Sequence, residues 1–193
     1  MKIKNVLMKI VGTVLICAIT VTSFLGIASA SSIYHTDHYK LILFFNDWER
    51  TSGTIYADYY PESKGSLNMG TYNAFAAGAW EGFDYSPFEM QVESNYNNAD
   101  VHVVSDDYGN QEWVGVTNPN FSKRLIKINE YFLNEEILNE DHYFEVVDHE
   151  WGHIWGLADH YDVCTLELMN GDVRTDPVTH PFEGDIQGIY DKY

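Results

Sequence analysis

The sequence predicts an α+β fold in one domain, and two kinds of periodicity predict it. Phe88-Glu89-Met90-Gln91-Val92 alternates apolar and polar side chains with period two, and Asp100-Val101-His102-Val103-Val104 does so more weakly, so both read as strands. Tyr72, Phe75, Ala76, Ala79 and Trp80 fall instead at helical spacing within Met69–Gly82, as do Phe182, Ile186, Ile189 and Tyr190 within Pro181–Tyr193. A chain of 193 residues suits one domain with a real core, and nothing requires a second.

The first thirty residues carry Lys2, Lys4 and Lys9, then a largely apolar run from Ile10 to Ala28, then the small-x-small pattern Ala28-Ser29-Ala30. Residues 1–30 are therefore expected to be a secretory signal peptide, leaving 31–193 as a single domain. The apolar run is about long enough to span a bilayer, so an uncleaved anchor is the competing reading. Cys17 follows Ile16 rather than a small residue, which speaks against a lipoprotein anchor.

Without residues 1–30, eight basic side chains stand against twenty-nine acidic ones, a formal charge of −21. That argues against nucleic acid and anionic membranes as partners, and a soluble monomer is expected. The acidity is compatible with solubility, with calcium binding or with a salty environment. Cys164 is the one cysteine left, so no intrachain disulfide can form, and a cysteine-poor exported chain suggests an extracellular, bacterial address.

Tyr39-Lys40-Leu41-Ile42-Leu43-Phe44-Phe45 reads as a buried strand, the first of the sheet, ended by Asn46-Asp47. Residues 48–68, with Gly53, Pro61 and Gly65, read as an irregular or hairpin insertion in which only Thr54–Tyr60 could pair. Asp106-Asp107-Tyr108-Gly109-Asn110 marks a turn that opens into Glu112–Val116. Asp106 and Asp107 could hold calcium, although a solvated turn explains them as well. Lys123–Phe132 supplies another strand, centred on Leu125–Ile128. A helix is expected to start near Asn139 or Asp141, with Phe144, Val147, Trp151, Ile154 and Trp155 covering its buried faces.

That helix carries the chemistry. His149 and His153 are four residues apart, so on a helix both imidazoles reach a single ion. Glu150 follows the first by one residue, where its carboxylate can reach metal-bound water without being a ligand; it is the candidate general base. Gly156 can take positive φ, end the helix and turn the chain back, which brings Asp159 or its neighbour His160 to the same ion. Three protein ligands leave one position for water, the arrangement of a catalytic rather than a structural zinc site. His35, His38, His102, His142 and His180 have no ligand spacing.

At these residues the sequence resembles the metzincin metallopeptidases, whose pattern H-E-x-x-H-x-x-G-x-x-H/D is followed by a methionine turn. Within that clan it resembles the snapalysin family of small secreted proteases. Gly156-Leu157-Ala158-Asp159-His160-Tyr161 matches the G-L-x-D-H-Y setting of that family, and Cys164 with Glu167-Leu168-Met169 resembles its C-x-E-L-M stretch. The match covers about residues 145–171; upstream, only the order of elements agrees. One departure is that snapalysins pair this cysteine with another shortly downstream, and none occurs here after Cys164.

The resemblance implies a metzincin-like fold: a twisted mixed β-sheet, an active-site helix, a Met-turn and a C-terminal helix. It implies zinc held by His149, His153 and Asp159, Met169 as a hydrophobic floor, and an aromatic preference just after the cleaved bond. Peptide substrates would lie extended along an exposed edge strand, for which Gln111–Thr117 is the candidate. Tyr161, two residues past Asp159, is the nearest hydroxyl that could support the transition state, and a structural role suits it equally. The expected function is a secreted zinc-dependent endopeptidase acting on protein or peptide substrates. The alternative is a secreted zinc-binding protein without turnover, an inhibitor or adhesin, against which the intact Glu150 speaks.

Overall fold

The computed structural model describes residues 39–42, 53–118, 124–161, 166–173 and 175–193. The expected signal peptide, His35, His38 and Cys164 lie outside them. Strand β1 (Lys40–Leu41) is followed by β2 (Ile55–Ser63), helix α1 (Met69–Glu81), β3 (Phe88–Val92), β4 (Val101–Asp106), β5 (Gly115–Asn118) and β6 (Arg124–Asn129). Then come α2 (Tyr131–Asn134), α3 (Glu140–Ile154), β7 (Leu157–Ala158) and α4 (Glu183–Lys192). Among these residues no helix is long and apolar enough to cross a membrane.

Five strands form the main sheet in the spatial order β3-β2-β4-β6-β5. The first four are parallel and β5 is antiparallel to β6, so the sheet is mixed and mostly parallel, and with the helices it makes an α+β fold. Along β2, Ile55, Ala57 and Tyr59 are buried while Tyr56 is exposed, the period of two expected for a strand with one face on the core. Phe88 and Met90, Val101 and Val103, and Ile126 and Ile128 continue that face on the neighbouring strands. Helices α1 and α3 cover it with Tyr72, Ala76, Trp80, Val147, Trp151 and Ile154.

Two indoles fasten α1 to α3. Trp80 Nε1 donates to the carbonyl of Asp148 at 3.0 Å, and Trp151 Nε1 donates to Asn73 Oδ1 at 2.8 Å. Both tryptophans are fully buried, so these bonds satisfy the polar handles their burial would otherwise orphan. The helix that carries the histidines is thus fixed against rotation before its ligands are considered.

The structure corrects three expectations upstream of the site. Within the stretch 48–68, expected to be an irregular or hairpin insertion, Ile55–Ser63 forms β2, which runs further than the Thr54–Tyr60 segment expected to pair and lies between β3 and β4, inside the sheet. Pro61 is tolerated there because its nitrogen faces the β3 side, as Ile55 and Tyr59 do, and β3 ends opposite Tyr59. Lys40–Leu41 does not open the main sheet but pairs antiparallel with Leu157–Ala158 in a separate two-stranded sheet. The strand expected over Lys123–Phe132 stops at Asn129, and Tyr131 and Phe132 begin α2. Asn129 ends it: its Oδ1 accepts from the nitrogens of Tyr108 and Tyr131 and its Nδ2 donates to the carbonyl of Gly109.

Asp106 is the last residue of β4, and Asp107 opens the connection beyond it. Asp106 Oδ1 accepts from the nitrogen of Asp107, and Asp107 accepts from the nitrogen of Gly109 and from Asn134 Nδ2. The terminal helix starts at Glu183 rather than Pro181, with Ile189 buried and Tyr190 44% exposed, so Tyr190 is not on the buried side.

Candidate metal centre

Helix α3 starts where Asn139 Oδ1 accepts from the nitrogen of His142, with Glu140 and Asp141 in the first turn facing the positive helix end. His142 is therefore a capping residue. The helix ends at Ile154 with Trp155 as its cap, and Gly156 follows with a φ of 91°, open to glycine at little cost. The chain reverses there, and β7 carries it back along the helix to Asp159. The next residue, His160, is tied through its backbone to the turn beyond: its nitrogen donates to the carbonyl of Met169, and the nitrogen of Gly171 donates to its carbonyl.

These two reversals bring His149, His153 and Asp159 together. Nε2 of His149 lies 2.9 Å from Asp159 Oδ1, and Nε2 of His153 lies 3.2 Å from the same oxygen. The imidazole planes are perpendicular, with centroids 4.8 Å apart. Each Nδ1 is turned to a backbone carbonyl, that of Leu168 at 2.8 Å for His149 and that of Leu157 at 2.9 Å for His153. A carbonyl only accepts, so each Nδ1 carries the proton and each Nε2 is directed at the shared point. One ligand atom from each of the three residues falls within 4.8 Å of the others, and the group could hold a metal ion. Among the described residues no other group of histidine, cysteine, aspartate and glutamate does so.

The electrostatics reflect the close approach. Burial pulls the His149 ring down, but its hydrogen bond to Asp159, the Glu150 charge and the Leu168 carbonyl outweigh it and bring it up to about 9. Burial pushes the Asp159 carboxyl up, yet its bonds to His149 and His153 hold it well below the usual carboxylate range. The two shifts have one cause, the close approach of the Asp159 carboxylate to the imidazoles.

Glu150 points into the same cleft. It is 5% exposed, and Thr117 Oγ1 on β5 donates to its Oε2 at 2.6 Å. The cleft, of about 630 Å³, is lined by His149, His153, Asp159 and Glu150 together with Trp113, Gly115, Val146, Tyr161 and Val173. One wall is β5, an edge strand of the sheet; of the expected edge strand Gln111–Thr117 only Gly115–Thr117 is strand, and Gln111–Val114 lead into it without pairing as one. Tyr161 stands at the lip, 61% exposed, with its hydroxyl 3.5 Å from Asp159 Oδ2, the outer limit of a hydrogen bond.

Met169 is fully buried and lies against Gly152 on the underside of α3. The residue that fixes it was not legible in the sequence. Asp185, on the first turn of α4, accepts from the nitrogens of Leu168 at 2.8 Å, Met169 at 3.1 Å and Phe182 at 2.8 Å. Its only sequence signal is an acidic residue near a helix start, which points to capping and not to the turn beneath a metal site. Burial pushes its carboxyl up while those three donors pull it down, leaving it at about 6. His102 and His180 serve elsewhere: His102 contacts the Tyr96 carbonyl, and His180 stacks on Phe182.

No protein-family model matches the chain, and no match is found among curated proteins. Among solved structures it is similar to a chain of the GM1-bound form of the ECX AB5 holotoxin. That likeness has 17% identity and a TM-score of 0.48, and covers 74% of this chain and 85% of that one.

Proposed function

We propose that the protein is a secreted zinc-dependent endopeptidase of metzincin type, most like the snapalysins. The observation that carries the reading is the convergence of two Nε2 atoms and one carboxylate oxygen on a single point, with a second carboxylate, Glu150, beside it in an open cleft. The donor set suits zinc, which takes imidazole nitrogen and carboxylate oxygen at about 2.0–2.2 Å, placing ligand atoms roughly 3.3–3.6 Å apart. The carboxylate oxygen stands 2.9 and 3.2 Å from the two nitrogens, and all three atoms lie within 4.8 Å of one another. Both imidazoles are also oriented from behind by carbonyls, as metal-bound histidines are.

A bound zinc would supply Lewis acidity and a water with a pKa of about 7. The chain supplies the rest. Glu150 takes a proton from the attacking water and delivers it to the leaving amine, so one carboxylate serves as base and then as acid. The outer edge of β5 offers main-chain groups to an extended peptide, which fixes the scissile bond beside Glu150. Tyr161 is exposed enough to turn its hydroxyl from Asp159 towards charge developing on the carbonyl oxygen. A carboxylate placed and hydrogen-bonded beside the site favours an enzyme over a zinc-binding protein without turnover.

Casein hydrolysis with and without a chelator tests the reading. Activity should disappear with the chelator and return with zinc. Glu150→Gln should keep zinc and lose roughly 10²–10⁴-fold in rate. Proteolysis that ignores the chelator would sink the zinc reading, and near-normal proteolysis by the variant would sink the role of Glu150.

A further inference from the structure

We propose that Thr117 is a positioning residue for Glu150: its hydroxyl holds one carboxylate oxygen, so that the other is presented to the cleft. This rests on the reading of Glu150 as general base. Thr117 Oγ1 lies 2.6 Å from Glu150 Oε2 and 3.1 Å from the Glu150 carbonyl. A hydroxyl has one proton to give, and the shorter bond to the charged acceptor takes it.

Gly115 completes the arrangement. It lies two residues before Thr117 on β5, so both face the same way, towards α3. A β-carbon at Gly115 would press on Glu150 Oε1 and Cγ and on Val146. The strand therefore grips Oε2 at one position and makes room for Oε1 at the other. The last torsion of a glutamate is broad and close to two-fold, so an untethered carboxylate would present either oxygen and spend time turned aside. The Thr117 bond selects one orientation. It also ties the base to the strand proposed to hold the peptide, so the proton acceptor and the substrate share one reference frame.

The test uses the full-length protein loaded with zinc and an internally quenched peptide substrate. Thr117→Val keeps the shape and strand preference of the side chain but has no hydroxyl; Thr117→Ser keeps the hydroxyl. Thr117→Val should lower kcat about 10- to 100-fold, the effect of losing one hydrogen bond to a charged group, with KM within about twofold and zinc content unchanged. Thr117→Ser should recover most of that loss. In a Glu150→Gln background Thr117→Val should cost little more, because it acts through the missing carboxylate.

Wild-type kcat in Thr117→Val, an equal loss in Thr117→Ser, or an undiminished loss in the Glu150→Gln background would each overturn the proposal. A crystal structure of zinc-loaded Thr117→Val gives a readout independent of turnover. The Glu150 carboxylate should leave its wild-type position, and an unmoved carboxylate would overturn the proposal too. A wild-type protein that cleaves no peptide counts against the endopeptidase reading, and the carboxylate position still decides the role of Thr117.

Discussion

Gly152 and Met169 touch where helix α3 crosses the turn beneath it. A β-carbon at Gly152 would collide with Met169 Sδ and come within 3.1 Å of Trp80 Cζ2. Two effects oppose each other in Gly152→Ala. Alanine in a helix interior is favoured over glycine by about 1 kcal/mol, whereas forcing extra volume into a packed core costs about 1–3 kcal/mol. Met169 and Trp80 are both fully buried, so neither can swing into solvent, and the second effect wins. The variant should be less stable by up to about 2 kcal/mol in urea titration. It should also bind zinc more weakly, because Leu168, next to Met169, supplies the carbonyl that orients His149. A Gly152→Ala protein more stable than wild type would mean the turn yields.

Asp185 links that turn to pH. Its carboxyl sits at about 6 in the fold against an ordinary 3.8, so between those values the folded chain holds a proton that the unfolded chain has released. Stability from this group is therefore present at low pH and is lost as pH rises through about 6. The difference amounts to roughly 3 kcal/mol at most. Asp185→Asn resembles the protonated form. Its unfolding free energy should change less than the wild type's between pH 4 and pH 7, and the comparison cancels the other carboxylates. Parallel pH profiles would show that the three backbone donors keep Asp185 ionised throughout.

The ligand geometry was legible because it is local. His149 and His153 are one helical turn apart, and Gly156 reverses the chain just before Asp159 and His160, so spacing brings both of these to the imidazoles and only the family resemblance chose Asp159. The caps at Asn139 and the period of two in β3 were legible for the same reason. Strand β2 was read only as far as Tyr60 and not placed inside the sheet, because Pro61 is punctuation in sequence, while its position past the end of β3 is a fact about neighbours. Leu41 is apolar whether it joins the main sheet or, as here, pairs with Leu157. Thr117 and Asp185 are beyond reach in the same way. Their partners lie 33 residues on for Thr117 and 16–17 residues back for Asp185, and no periodicity encodes such a pairing.

Residue type and geometry disagree about the third ligand, which makes it the sharpest prediction. Imidazole is the commoner zinc ligand and His160 is adjacent. Yet Asp159 places a single oxygen 2.9 Å and 3.2 Å from the two imidazoles, while the His160 side chain, 2% exposed, is not one of the group that shares the site. Its backbone, bonded at nitrogen and carbonyl to Met169 and Gly171, gives it a structural task instead. Losing an outer partner of a ligand typically costs about 10–100-fold in metal affinity. His160→Ala should fall within that range at worst and show its main effect as lower stability. Asp159→Ala removes a ligand and should exceed it, while the fold survives because Asp159 is only half-buried. Bound zinc in both purified variants, measured alongside thermal unfolding, separates the two. Greater metal loss in His160→Ala would transfer the ligand role from Asp159 to its neighbour.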